Sequence, residues 1–129
     1  MKKFLGLLLL LILFTLPACI RKVGWVETNI GNTFSARYRL FDGMQTDIIR
    51  LDTEESVILA YDIEVLEGNL TLQITDPNRD PVWERTFDQN EKSELEFTSE
   101  MDGRYQINII GEETEGSFDL QWEIVDQNN

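Results

Sequence analysis

The sequence predicts an all-β fold, a single antiparallel β-sandwich of about eight strands with Greek-key or jelly-roll-like connections behind an N-terminal signal peptide. Three observations lead there. From about Thr33 onward apolar and polar residues alternate with period two, as in strands that bury one face. Turn-forming residues interrupt the alternation at short intervals: Asp42-Gly43, Glu67-Gly68-Asn69, Asp76-Pro77-Asn78, Asp102-Gly103, Gly111 and Gly116. Downstream of the first apolar run, no segment carries apolar residues at helical spacing over a useful length.

The chain opens with Met1, Lys2 and Lys3, followed by Phe4 to Leu16, an apolar run broken only by Gly6 and Thr15. A basic start and a short apolar core are the parts of an export signal, here residues 1–18. The run falls short of the about 20 residues that a membrane-spanning helix needs, and Pro17, Arg21 and Lys22 end it. Leu16-Pro17-Ala18-Cys19 resembles the lipobox of bacterial lipoproteins, with Pro17 a departure at a position where a small residue is commoner. The resemblance implies that a dedicated signal peptidase recognises Leu16 and Ala18 and cuts before Cys19. It implies too that the Cys19 thiol takes a diacylglyceryl group and that the new amine is often acylated. Each buried methylene contributes about 0.8 kcal/mol, so two or more acyl chains give stable anchoring. The expected location is therefore the extracytoplasmic side of the cell membrane, and Ile20, where an Asp would retain the protein at an inner membrane, leaves an outer membrane open. Cys19 is the single cysteine, so stability has to come from the core without disulfides.

Residues 19–32 read as a lipidated N-terminus and short tether with one brief strand at most, because Trp25, Val26 and Ile30 are too few to define an element. The sandwich is expected over residues 33–126, with 127–129 a tail. Thr33 to Phe41 places Phe34, Ala36, Tyr38 and Leu40 on one face, and Ser56 to Val65 does the same with Val57, Leu59, Tyr61, Ile63 and Val65. Leu70, Leu72 and Ile74 repeat the rule, and further strands are expected at Thr46 to Leu51, Val82 to Phe87, Glu94 to Thr98, Arg104 to Ile110 and Ser117 to Val125. Tyr105 with Ile107 and Ile109, and Trp122 with Phe118, Leu120 and Ile124, point inward by phase. Between Leu51 and Ile124 the stretches "GNLTLQITDPNRDPVW" and "DGRYQINIIGEETEGSFDLQWEI" resemble two landmarks of bacterial pre-peptidase C-terminal domains and GOLD-type sandwiches. These are a strand ending in Asp76-Pro77 before a turn, and Gly103-Arg104-Tyr105 entering a penultimate strand. The Cys that follows that strand in many GOLD domains is absent. The resemblance implies a sandwich with a binding or accessory role.

Charge excludes several partners. The chain of 129 residues carries 24 acids against 11 bases and no histidine, a formal net charge of −13. Such a surface repels phosphate backbones and anionic headgroups, so nucleic acid is not expected as a partner and the folded domain should not lie flat on a membrane. Catalysis has little to stand on, with no imidazole base, the only thiol expected to be lipidated, and neither a nucleophile elbow nor a phosphate loop. No cofactor is expected beyond the acyl chains on Cys19. A hydrolase would require two carboxylates converging in a cleft.

Asp76, Asn78 and Asp80 stand at alternate positions like the first ligands of a calcium loop, but Pro81 and Phe87 occupy the places of its turn Gly and bidentate Glu, so a plain turn is favoured. The acidic stretch of Asp88, Glu91, Glu94, Glu96, Glu100 and Asp102, and the loop with Glu112, Glu113 and Glu115, read as solvated faces. Trp83 with Arg85 is the candidate contact, because Trp83, Arg85 and Phe87 run out of phase with Val82. Two readings follow: a non-catalytic accessory module for a cell-envelope protein, and, as the alternative, a carbohydrate-binding module for cell-wall or extracellular glycan. An exposed aromatic platform around Trp83 favours the glycan; a buried Trp83 with a smooth acidic or edge-strand surface favours the protein.

Overall fold

The computed structural model describes residues 20–126, so the signal peptide, Leu16, Ala18, Cys19 and the tail from 127 lie outside the described residues. Seven antiparallel strands form the fold: β1 (Arg21–Val23), β2 (Val26–Ile30), β3 (Thr33–Leu51), β4 (Glu55–Thr75), β5 (Pro81–Phe87), β6 (Glu91–Thr98) and β7 (Gly103–Asp126). The last and longest strand is central: β7 lies between β3 and β4, with β1 and β2 on the outer side of β3 and both β5 and β6 on that of β4.

Three strands are too long for one layer, and they serve two. Register shifts interrupt β3 between Tyr38 and Gly43 and β4 between Val65 and Asn69, and the facing segment of β7 is Gly111 to Gly116. Phe97 lies on β6 beside Val57, and Tyr105 lies on β7 beside the last residues of β4. Along a straight strand those two places would be roughly 60 Å apart. Their rings are 5.9 Å apart, so the sheet doubles back at the bulges. One layer holds β2, the first halves of β3 and β4, the second half of β7, and β6. The other holds the second halves of β3 and β4, the first half of β7, and β5. The result is the expected all-β sandwich, closed along one crease.

The eight sequence segments thus become two short strands plus six halves of three bent ones. The crease also changes a phase: after Tyr38 the next fully buried residue is Phe41, in place of the Leu40 that uninterrupted alternation selects. Elsewhere the alternation holds. Val57, Leu59, Tyr61, Ile63, Leu70, Leu72 and Ile74 line the interior from β4, and Tyr105, Ile107, Ile109, Phe118, Leu120 and Trp122 from β7. Each such fully buried aliphatic or phenylalanine side chain contributes about 1.5–3 kcal/mol before entropy is charged against it. Ile124, expected inward, is 39% exposed because the first layer ends there.

Glycine makes the crease possible. Gly116 has φ +153°, and a Cβ there would stand 1.9 Å from the Glu64 carbonyl oxygen. Gly68 has φ +69° and faces the Glu112 and Glu113 carbonyl oxygens, each 2.4 Å from a notional Cβ. Thr114, fully buried in the same bend, donates its hydroxyl to the Glu67 carbonyl at 2.8 Å.

Residues 21–30, expected as tether with one brief strand at most, are two strands paired to β3, Arg21–Val23 against 40–42 and Val26–Ile30 against 33–37. Trp25 between them supplies the reason. Its ring stacks on Tyr38 at 5.5 Å and meets Phe41 edge-on at 5.1 Å and Phe118 at 6.1 Å, closing one side of the sandwich. Lys22 Nζ lies 4.4 Å from the centre of the same ring. The opposite side is closed by Arg85 of β5 bonded to Glu91 of β6, an ion pair that spans the two layers.

Candidate functional site

The outer faces of the two layers differ in charge. Across the first layer, cross-strand register sets Val26, Arg37, Ser117 and Glu64 in one row, and Thr28, Ser35, Asp119, Asp62 and Lys92 in the next. These rows floor an open polar groove of about 470 Å³ with small side chains, Ser35 and Ser117, at its centre. Asp62, Glu64, Glu94, Glu96, Asp119 and Glu123 all project from this layer.

The second layer is nearly free of acid. Thr46 donates to Asn108 Oδ1 at 2.8 Å, Asn108 Nδ2 to Gln73 at 3.1 Å, and Gln73 Nε2 to Glu84 at 3.3 Å. This row crosses four strands and bonds its polar groups to one another, and a Thr71–Thr86 hydroxyl pair at 2.8 Å extends it. Glu84 is the acid of this outer face among the described residues, against Arg50 and Arg104. Met44, 48% exposed, and Ile48, 38% exposed, stand beside the row on β3. A face whose row of amides and hydroxyls satisfies itself, Thr75 at its end excepted, loses little on desolvation, which suits it to cover by another surface.

Trp83 does not form a platform. It pairs with Ile74 in register, faces the interior half-buried, and sits 6.1 Å from the Tyr61 ring. Its alternation with Arg85 and Phe87 marks the inward side of β5, where Phe87 is buried and Arg85 is held by Glu91. No aromatic side chain is among the exposed large apolar residues described; those are aliphatic or methionine.

Asp76, Asn78 and Asp80 form a turn. The Asp76 carboxylate accepts the backbone N–H of Asn78 at 2.8 Å and of Asp80 at 3.0 Å, while its carbonyl takes the Arg79 N–H at 2.8 Å. Among the described residues no cluster of acidic or sulfur ligands has the geometry to hold a metal ion. Glu94 and Glu96 are exposed opposite the half-buried Leu95 and Phe97.

The shifted titrations are structural. Arg21 holds the Asp42 carboxyl below the usual range by a 2.9 Å ion pair, helped by the Glu113 N–H, and is itself raised by that partner. Asp102 is lowered by the Thr53 N–H at 2.6 Å and hydroxyl at 2.9 Å, which tie two turns at the far end of the sandwich. Burial pushes the Tyr38 phenol upward.

Sequence reasoning missed the neutral face. Its signal lies in the outward positions of three segments, Met44-Thr46-Ile48-Arg50, Thr71-Gln73 and Arg104-Gln106-Asn108-Ile110, which hold no acid in a chain rich in them. Only the register shows that they share one surface.

No family model matches the chain, and no curated protein matches it in sequence. Solved structures similar to it include the glycosylation-associated protein complex Gap123 of Streptococcus agalactiae, at 13% identity and a TM-score of 0.47 over 86% of this chain and 42% of that one. The chain therefore spans less than half the length of that neighbour. The accessory secretory protein 1, 2 and 3 structure of Streptococcus pneumoniae aligns at 9% identity and a TM-score of 0.45, covering 87% of this chain and 93% of that one. The CBM22-1 xylan-binding domain of Paenibacillus barcinonensis Xyn10C aligns at 15% identity and a TM-score of 0.44, covering 84% and 85%.

Proposed function

We propose that the chain is an exported lipoprotein, anchored through Cys19 to the extracytoplasmic side of a bacterial cell membrane, whose sandwich binds another cell-envelope protein without catalysis. One observation carries the choice of partner class: a chain with 24 acids and a net charge of −13 keeps the outer face of its second layer almost free of them. Exposed Met44 and Ile48 lie within that face, and Arg50 and Arg104 at its end offer cations to carboxylates of a partner. The test is photo-crosslinking in intact cells with a photoreactive residue at Ile48. One recurrent envelope protein, lost from the crosslinks when Arg50 and Arg104 become Glu, supports the reading; crosslinks to polysaccharide alone reject it. Cys19→Ser tests the anchor: an unprocessed, unacylated precursor is expected, and unchanged processing and membrane attachment would sink it.

The groove across the first layer supports a second reading, glycan binding. Ser35, Arg37, Asp62 and Asp119 offer hydrogen-bonding groups to sugar hydroxyls from an open floor. No exposed aromatic ring is available for stacking among the described residues, so retardation on polysaccharide gels that disappears in Asp62→Asn would be needed to prefer it.

A further inference from the structure

The position of the crease fixes which end of the domain meets the membrane. Ile20 is the first described residue and is already part of the fold: a Cβ on Gly43 would come within 2.9 Å of Ile20 Cγ2. Arg21 follows in β1 and is clamped to Asp42 at 2.9 Å and to Glu113 at 3.3 Å, one residue on β3 and one on β7, both within the crease. Cys19 is bonded directly to Ile20, a single Cα–Cα step of about 3.8 Å from a fixed point of the crease. Acyl chains on Cys19 would leave the crease no slack in which to turn away from the bilayer.

The same end carries the aliphatic side chains that such a contact needs. Ile20 is 53% exposed, Val23 50% and Leu66 60%. Leu66 lies at the β4 bulge and shares a surface depression with Gly24, Trp25 and Arg39, which places it beside the β1–β2 connection. At the opposite end the three turns 52–55, 76–80 and 99–102 are tied together, Thr53 to Asp102 and Asn78 to Met101. The first half of β4, Glu55 to Val65, separates the ends by roughly 35 Å.

We propose that the crease rests on the headgroup layer of the anchoring membrane through Ile20, Val23 and Leu66, so that the sandwich stands end-on and both outer faces remain open to partners. This rests on the lipoprotein reading of Cys19. At this end Asp42, Glu67, Glu112, Glu113 and Glu115 outnumber Arg21, Lys22 and Arg39, and Arg21 is already paired to Asp42 and Glu113, so the lipid surface it fits is zwitterionic rather than anionic.

The test uses the full mature protein extracted from its host membrane, with the acyl groups on Cys19 verified by intact mass, and reconstituted into phosphatidylcholine vesicles. A lipidated Cys19 has no free thiol, so Val23→Cys, Leu66→Cys and Thr53→Cys each give one labelling site, all at exposed positions. A fluorophore at 23 or 66 is expected to be quenched several-fold more by headgroup-labelled lipid than one at 53. Equal quenching at 53 and 66, or none at 66, in a protein of verified acylation overturns the orientation alone. A Cys19 without acyl groups overturns the anchor, and the orientation with it.

Discussion

Replacing Gly116 by alanine should cost the domain far more than a methyl group ordinarily does. The new Cβ would stand 1.9 Å from the Glu64 carbonyl oxygen and 2.8 Å from its carbon, both backbone atoms of the neighbouring strand. No side-chain rotation relieves that contact; β4 and β7 must separate at the pair Val65–Gly116 where both turn the crease. Overpacking against an unyielding neighbour costs about 1–3 kcal/mol, and a positive φ forced on a non-glycine residue about 1–3 kcal/mol more. A loss of at least about 2 kcal/mol is expected, which for a domain near 100 residues lowers Tm by roughly 8 °C or more. Gly31→Ala is the control, since Gly31 has φ +57° but nothing within 4 Å of a Cβ, leaving only the backbone cost of about 1 kcal/mol. Urea denaturation and calorimetry of the two variants, in a domain beginning at Ile20, separate steric from conformational cost. Equal shifts in the two would refute the claim that the crease depends on close backbone approach at Gly116.

Trp25→Ala should cost about 2–4 kcal/mol, below the full price of a buried tryptophan because the ring is half-buried, and should loosen β2 first, read as faster amide exchange at Val26 to Ile30. The Tyr38 phenol is raised by burial, so its neutral form contributes stability that is complete below about pH 10 and declines as pH rises, when the unfolded chain ionises more readily. Because its hydroxyl is buried without a partner, Tyr38→Phe should be nearly neutral at pH 7 and should flatten the alkaline decline in urea midpoints; an unchanged slope would assign that decline elsewhere. The Asp102 carboxyl is lowered in the fold, so its contribution is present above the ordinary carboxylate range, about pH 4, and is lost as pH falls through its depressed value. Asp102→Asn should therefore shallow the acid limb of the stability curve without moving the alkaline one.

Alternation made most of the interior legible, because a strand with one dry face has to write that face into every second residue. Leu59, Leu72, Ile107 and Leu120 are where the sequence places them. What alternation does not carry is continuity: Phe41 and Asp42-Gly43 look like the end of one strand and a turn, whereas the chain passes through a bulge and continues as β3. The Leu40 to Phe41 change of phase follows from that single irregularity. Trp25 was illegible for another reason, since its partners Tyr38, Phe41 and Phe118 lie 13 or more positions away in the chain and only tertiary structure gathers them. Of the candidate surface, Trp83 and Arg85 are legible as an unusual pair, but pairing with Ile74 and Leu72 sets their phase on β5, which packs Trp83 against the core and leaves Arg85 half exposed in its ion pair with Glu91.

The strand that closes the sandwich is the last to be synthesised. β3 and β4 do not pair with each other; each waits for β7, Gly103 to Asp126, to come between them. Until those residues are available, the apolar rows of β3 and β4 have no central partner and the two layers have no common core. Within those waiting segments the excess of carboxylates over basic groups opposes premature association. Placing the keystone strand after both of its neighbours ties the formation of the common core to the arrival of β7.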